Sequence, residues 1–295
     1  MELDSRFAGT ALKDFIMDVE WRDTMNYAAS VGDDNPAYFD DTQPGGVIAP
    51  PMFCEAATWR ISERVRDFID APDFPFQLLM TQVHYSEHVE FYRPVVPGDR
   101  LTISGRVAAV LPHRAGTHVV IRYDATDRKG GPVFAMNTGV MLRGVKCAGG
   151  GAGQDDLPSL PPLPPTESHA WTAPLEISRL APYIYDGCAK IFFPIHTSER
   201  FARSVGLPGI ILQGTATLAM AVREIVNREA DGDPRLLKTI ACRFSGMAIP
   251  GTTISVRALF REETANEKIL RFDVLNASGT KAVSHGFARI APPDD

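Results

Sequence analysis

The chain has 295 residues, 44% hydrophobic and 22% charged, ordinary values for a globular protein long enough to bury a substantial core. Its net charge of −6 comes without any basic run, which argues against a nucleic-acid partner. No apolar run approaches the ~20 residues that cross a bilayer, and the acidic, mixed start MELDSRFAGT does not read as a signal peptide. The expectation is a soluble, cytoplasmic protein with no membrane association. Cys54, Cys147, Cys188 and Cys242 form no CxxC pair and no set with histidine at metal-ligand spacing. Free thiols in a reducing compartment are expected, with no metal and no cofactor.

In chain order, YAASVGDDNPAYFDD reads as a loop rich in turn-forming Asp, Asn and Pro. PPMFCEAATWRISERVRDFID opens with prolines, which suit a first helical turn. In HYSEHVEFYRP, strict alternation places His84, His88 and Glu90 on one strand face. VEFYRPVVPGDRLTISGRVAAV gives an aromatic strand, a Pro-Gly turn and a strand alternating at Leu101, Ile103 and Val107. Two more strands follow, hinged at DRKGG. KCAGGGAGQDDLPSLPPLPPTES then passes from Gly-rich coil to Pro-rich extended chain, with Leu157, Leu160 and Leu163 as its large apolar residues. It reads as a surface linker.

The same order returns afterwards. AKIFFPIHTSERFARSVGLPGIILQG is a loop with a histidine, a short helix and a turn, leading into GTATLAMAVREIVNREA, apolar nearly throughout its first three turns and so expected to be buried. CRFSGMAIPGTTISVRALFREE repeats the aromatic strand, Pro-Gly turn and alternating strand (Ile254, Val256, Leu259), and two strands hinged at NASGT close the chain. Residues 1–148 and 170–295 are therefore two repeats joined by a linker at 149–169. Each supplies a helix with a sheet to wrap it, and the two pair through edge strands.

The repeated order and motifs resemble the double hotdog proteins of the MaoC-like dehydratase and (R)-specific enoyl-CoA hydratase family, over about residues 10–291. The resemblance implies an α+β fold, two antiparallel sheets each wrapped around a central helix. It also implies a hydratase or dehydratase of enoyl or 3-hydroxyacyl thioesters on CoA or an acyl carrier, with a homodimer of the double hotdog as a further expectation. The family segment runs Y-S-G-x-S-G-D-x-N-P-x-H, then a short helix, then G-x-I-x-H-G. On it, His196 matches the histidine, Pro194 the proline and Gly214 the helix glycine, but Ile191 falls on the acid, Phe193 on the amide, Gln213 on the second histidine and Ser198 on a later acid. The first repeat shows the complementary loss: Asp33, Asn35 and Pro36 match, while Tyr38 falls on the histidine and Pro51 on the glycine.

Hydration of an enoyl thioester needs a base for water, a proton at the α-carbon and donors for the thioester oxygen. The resemblance makes His196 the base and the Gly214 backbone N–H the oxyanion donor, at a helix N-terminus whose free N–H groups suit negative charge. Gln213, Asp186, Asp33 and Asn35 are auxiliary candidates, with Glu199 a further carboxylate near the loop. Plainer roles stand beside these: Asp33 and Asn35 as turn residues, Asp34 as a solvated neighbour, Gly214 as a close-packing position, His285 as a structural strand residue. Ile191, Phe192 and Phe193 are expected to dry the site and depress the His196 pKa. The missing acid leaves a second reading, a non-catalytic double hotdog that binds acyl-CoA or supports a catalytic partner.

Overall fold

The structure, a computed structural model, describes residues 1–162 and 169–292. The first half comprises β1 (Glu2–Asp4), β2 (Ala11–Asp18), α1 (Trp21–Ser30), α2 (Phe53–Ser62), α3 (Val65–Phe68), β3 (Gln82–Phe91), β4 (Arg100–His113), β5 (Gly116–Thr126), β6 (Pro132–Arg143) and β7 (Lys146–Ala148). The second comprises β8 (Trp171–Glu176), α4 (Ala181–Ala189), α5 (Glu199–Ser204), α6 (Gly214–Glu229), β9 (Leu237–Phe244), β10 (Thr253–Glu263), β11 (Lys268–Leu275) and β12 (Lys281–Ile290). Among the described residues no helix is long and apolar enough to cross a membrane.

Ten strands form one antiparallel sheet in the order β2-β4-β5-β6-β3-β9-β12-β11-β10-β8. The order is a palindrome of the repeat, with five strands on each side of the β3–β9 seam. The fold is the expected α+β double hotdog, with the two sheets fused edge to edge. At the seam Glu87 lies opposite Cys242, His88 opposite Ala241 and Val89 opposite Ile240. The pseudo-two-fold axis passes through the His88–Ala241 pair, two residues that hold matching places before their Pro-Gly turns.

Hydrogen bonds repeat with the strands. Val19 N–H donates to Asp99 O (2.8 Å) as Ile177 N–H does to Thr252 O (2.8 Å). Ile48 N–H donates to Ala37 O (2.9 Å) as Ile211 N–H does to Ile195 O (3.4 Å), and Ala49 N–H to Val95 O (2.8 Å) as Leu212 N–H does to Ala248 O (2.9 Å). These bonds make Pro50–Pro51 the counterpart of Gln213–Gly214. The hinges match too: Gly130 (φ +79°) and Gly279 (φ +78°) take the left-handed conformation that glycine adopts without a Cβ clash, and their N–H groups donate to Asp127 O and Asn276 O, both at 2.9 Å.

The alternating residues Leu101, Ile103, Val107, Ile254 and Val256 are buried and share one core with α2 and α6. Leu218, Ala221, Val222 and Ile225 of α6 are almost fully enclosed, so truncating Leu218 or Ile225 to Ala costs ~2–5 kcal/mol. A pair of helices that composition did not single out, α1 and α4, meets on the axis. There Tyr27 and Tyr185 pack edge to face at 5.8 Å with hydroxyls 3.2 Å apart, a geometry worth ~0.5–1.5 kcal/mol beyond area burial. Of the segment expected as a linker, Ala152 pairs with Val110 of β4 and Leu157 covers Ala108, Ala109 and Val120. Residues 163–168 of that segment, Leu163 among them, and the last three residues of the second repeat lie outside the described residues.

Candidate active site

His196 ends a 3-10 turn (Pro194–His196) whose proline supplies the first residue. Its Nδ1 lies 2.9 Å from Ile211 O. A carbonyl oxygen only accepts, so Nδ1 carries the hydrogen and Nε2 keeps a free lone pair in the neutral ring. Burial lowers the His196 pKa to about 4, against a smaller raising effect of the Ile211 bond. At neutral pH the ring is therefore an unprotonated base.

Ile211 leads through Gln213 into α6. Gln213 is 2% exposed. Its Nε2 donates to Pro182 O of α4 (3.1 Å), and its Oε1 is buried without a partner. Gly214 is the first residue of α6, where the first-turn N–H groups have no intrahelical acceptor. A Cβ on Gly214 would lie 3.1 Å from the Phe244 ring, so the glycine also serves close packing. Behind it, Tyr185 Oη donates to Thr215 Oγ1 (3.1 Å), tying the paired tyrosines to the helix start.

The expected drying of the site is only partly realised. Ile191 is 4% exposed and joins the core, but Phe192 and Phe193 are 43% and 37% exposed. The loop turns Ile191 inward and leaves both phenylalanines at the surface, with the Phe193 ring 6.4 Å from His196. Among the described residues no carboxylate bonds to His196. Asp186 sits half-buried on α4, its pKa raised by burial. Glu199 is exposed and pairs with Arg203 at 3.3 Å. Ser198 caps α5 by accepting from Phe201 N–H.

In the first half, Asp33 is 6% exposed and lines a small cavity with Tyr38, Pro51, Met52 and the α6 residues Ala219, Val222 and Arg223. Burial raises its pKa to about 6, opposed by a bond from Asn35 N–H (3.3 Å) and by the Arg223 charge. Asn35 is a structural cap: its Oδ1 accepts from Ala37 N–H (2.9 Å) and its Nδ2 donates to Gly232 O (2.7 Å). Tyr38 Oη is buried without a partner. Asp33 thus faces the flank of α6, while His196 bonds ahead of its first turn, and no hydrogen bond joins the two.

Strict alternation fails in β3. The ladder with β6 steps from His84 to Ser86, leaving Tyr85 as a bulge. His84 therefore lies on the side of Glu87, to which its Nε2 bonds at 2.8 Å. His88 bonds Glu90 at 2.9 Å on the other face, and Glu90 pairs with Arg289. His285 reaches Ser284 Oγ from a left-handed backbone position. Glu55 of α2, not singled out from the sequence, is buried with Oε1 unpartnered. The available signal was one acid among the apolar residues of a helix expected to pack.

These features define a class: a double hotdog whose second copy keeps a histidine and a helix glycine from the repeated motif. The MaoC like domain profile matches residues 185–281, and the FAS1-like dehydratase domain region matches residues 6–136. The 3-hydroxyacyl-thioester dehydratase Y of Mycobacterium tuberculosis is 26% identical over 289 residues, 90% of this chain and 93% of that one. The peroxisomal enoyl-CoA hydratase 2 of Arabidopsis thaliana is 26% identical over 195 residues, 63% of this chain; the chain spans 62% of that relative, less than two thirds. A MaoC-like dehydratase from Phytophthora capsici shares the fold with a TM-score of 0.82 at 21% identity, over 98% of each chain. The chain belongs to the MaoC-like dehydratase family.

Proposed function

We propose that the protein adds water reversibly to an enoyl thioester carried by CoA or an acyl carrier. The names of the dehydratase and hydratase relatives support that substrate class. The observation that carries the reading is the Nδ1–H bond from His196 to Ile211, which leaves Nε2 as a neutral base close in the chain to the first turn of α6. His196 takes a proton from water as its oxygen attacks the β-carbon. The Gly214 N–H receives the negative charge that gathers on the thioester oxygen. Residues 170–295 hold this site, residues 1–148 form its supporting repeat and 149–169 connect them. Free cysteines at 54, 147, 188 and 242 support a reducing, cytoplasmic setting. The exposed Leu180, Tyr183, Ile184, Phe192 and Phe193 support pairing with a second copy, which sedimentation would read; a monomer at working concentration would remove the dimer from this proposal.

The test follows the loss of conjugated-thioester absorbance when purified protein meets trans-2-enoyl-CoA substrates. His196→Ala is expected to lower kcat/KM by ~10²–10⁴-fold, the range for a general base. The limb governed by His196 is expected near pH 4, where its ring gains a proton. Tight thioester binding without turnover by the unaltered protein would transfer support to the acyl-binding reading.

A further inference from the structure

The second-half site has a base and an oxyanion donor but no acid on its own loop. An acid is nevertheless buried nearby, and it comes from the other half. His84 and Glu87 of β3 are joined by the 2.8 Å bond between Nε2 and Oε2. Thr138 Oγ1 of β6 donates to the remaining Glu87 oxygen at 3.2 Å. Glu55 of α2 lies within electrostatic reach of both and keeps an unpartnered, buried oxygen. The Glu87 side chain is fully buried, while that of His84 is 26% exposed, so the imidazole is the accessible end of the group. The His84 ring packs against Phe244 with centroids 4.3 Å apart and planes inclined at 47°, and Phe244 is the ring that the missing Cβ of Gly214 would touch.

The pseudo-two-fold axis says where His84 points. In the first half a cavity of about 30 Å³ opens beside Pro50 and Pro51, and its lining includes Phe91 and Leu237. Rotation about the His88–Ala241 pair carries Pro50–Pro51 onto Gln213–Gly214, Phe91 onto Phe244 and Leu237 onto His84. The bulges agree: Tyr85 follows His84 and is skipped in the ladder with β6, and Lys238 follows Leu237 and is skipped in the ladder with β12. His84 therefore faces the Gly214 end of the retained site. The three polar residues His84, Glu87 and Glu55 answer to Leu237, Ile240 and Leu218 in the other copy, all buried aliphatics. Burying three ionisable groups where aliphatic residues pack well is costly, and the cost is borne only beside the copy that keeps His196 and Gly214.

On the reading that this site hydrates enoyl thioesters, we infer that His84, backed by Glu87 and Glu55, supplies from the first half the acid that Ile191 cannot. In the hydration step the water oxygen bonds to the β-carbon and the double-bond electrons move toward the α-carbon and thioester oxygen. Water gives a proton to His196 Nε2. The α-carbon takes a proton from Nδ1 of His84, whose Nε2 takes one from Glu87. His196 is left protonated and Glu87 ionised; one proton passed from His196 through solvent to the exposed nitrogen of His84, with the Nε2 proton of His84 returned to Glu87, restores all three. Burial first, then their mutual repulsion, holds the Glu55 carboxyl well above its usual range, and burial does the same for Glu87 despite the Thr138 bond. Both shifts favour the protonated, proton-donating form of the pair. Cys54, Cys242 and the hydroxyls of Tyr27, Tyr123 and Tyr185 are the other ionisable groups around it, and burial pushes each of them up.

The experiment compares the unaltered protein, His196→Ala, His84→Gln and the triple variant His84→Leu, Glu55→Leu, Glu87→Ile on trans-2-enoyl-CoA. The triple variant installs the aliphatic set of the other copy, so its core is expected to fold. Both His84 variants are expected to lose ~10²-fold or more in kcat, with KM within about threefold. Deuterium incorporation at the α-carbon should slow in parallel, and the pH-profile limb contributed by the His84–Glu87 pair should vanish. A folded triple variant with kcat within about threefold of the unaltered protein would overturn the inference while leaving the His196 reading intact. If the triple variant does not fold, His84→Gln decides by the same criteria. No turnover by the unaltered protein would overturn both together.

Discussion

At His196 an imidazole nitrogen stands free close to a helix whose first residue offers an N–H. At Tyr38, its counterpart, a phenol is buried without a partner beside a helix that begins after two prolines. The two loops share matched backbone hydrogen bonds, and they differ in the side chains at the motif positions and in the short helix α5, which the second loop alone inserts before its buried helix. In the first copy those side chains have taken up bracing. Asn35 ties its loop to Gly232, and Arg223 of α6 donates to Val31 O (2.7 Å) and Gly32 O (2.9 Å). On the proposed function, the repeated fold gives one copy of the motif to chemistry and the other to holding α6 in place.

The contrast breaks most directly at the two equivalent positions. His196→Ala should cost ~10²–10⁴-fold in hydration, whereas Tyr38→Phe, which removes a buried hydroxyl without a partner, should leave activity within twofold and stability unchanged or raised. Equal losses at both positions would mean two working sites. Asp33 gives the next largest effect. An acid whose folded pKa (about 6) exceeds its unfolded one holds extra protons when folded, so its contribution to stability falls as pH rises from about 4 to about 6. Asp33→Asn removes that fall. It should be on the order of 1–3 kcal/mol more stable than the unaltered protein above pH 6, with no advantage below pH 4, in urea titrations across that range. A pH-independent difference would show that Asp33 is not held in this way. Asn35→Ala should cost ~1–2 kcal/mol through the lost cap and the lost bond to Gly232, with kcat preserved; a collapse of kcat at unchanged stability would return the first loop to catalysis. Asp186→Asn should change activity by less than about twofold, since Asp186 makes no bond to His196. A tenfold loss there would put the missing acid on α4 and weaken the case for His84.

Much of the architecture was legible because the repeat states it twice. The Pro-Gly turns, the alternation at Leu101 and Ile254, and the hinges at Gly130 and Gly279 carry local physical constraints that a single chain displays. His196 and Gly214 were legible from motif position. The parts that were not legible depend on counts of one residue or on distance. A bulge at Tyr85 changes no composition, yet it moves His84 to the other face. Glu55 and Glu87 are far apart in the chain, and only the packing of α2 on β3 brings their charges together. Phe192 and Phe193 read as a dry lining because apolar residues are most often inside, but the inward turn at Ile191 leaves them at the surface.

The paired prolines before α2 have a quantitative consequence. Pro51 has no amide hydrogen to offer an oxyanion, and the N–H groups of Phe53 and Glu55 are already given to Pro50 O and Met52 O. A change in any neighbouring side chain cannot restore a donor at that place. On the proposed function, this predicts a stoichiometry of one thioester per polypeptide, held at the Gly214 end of the fold.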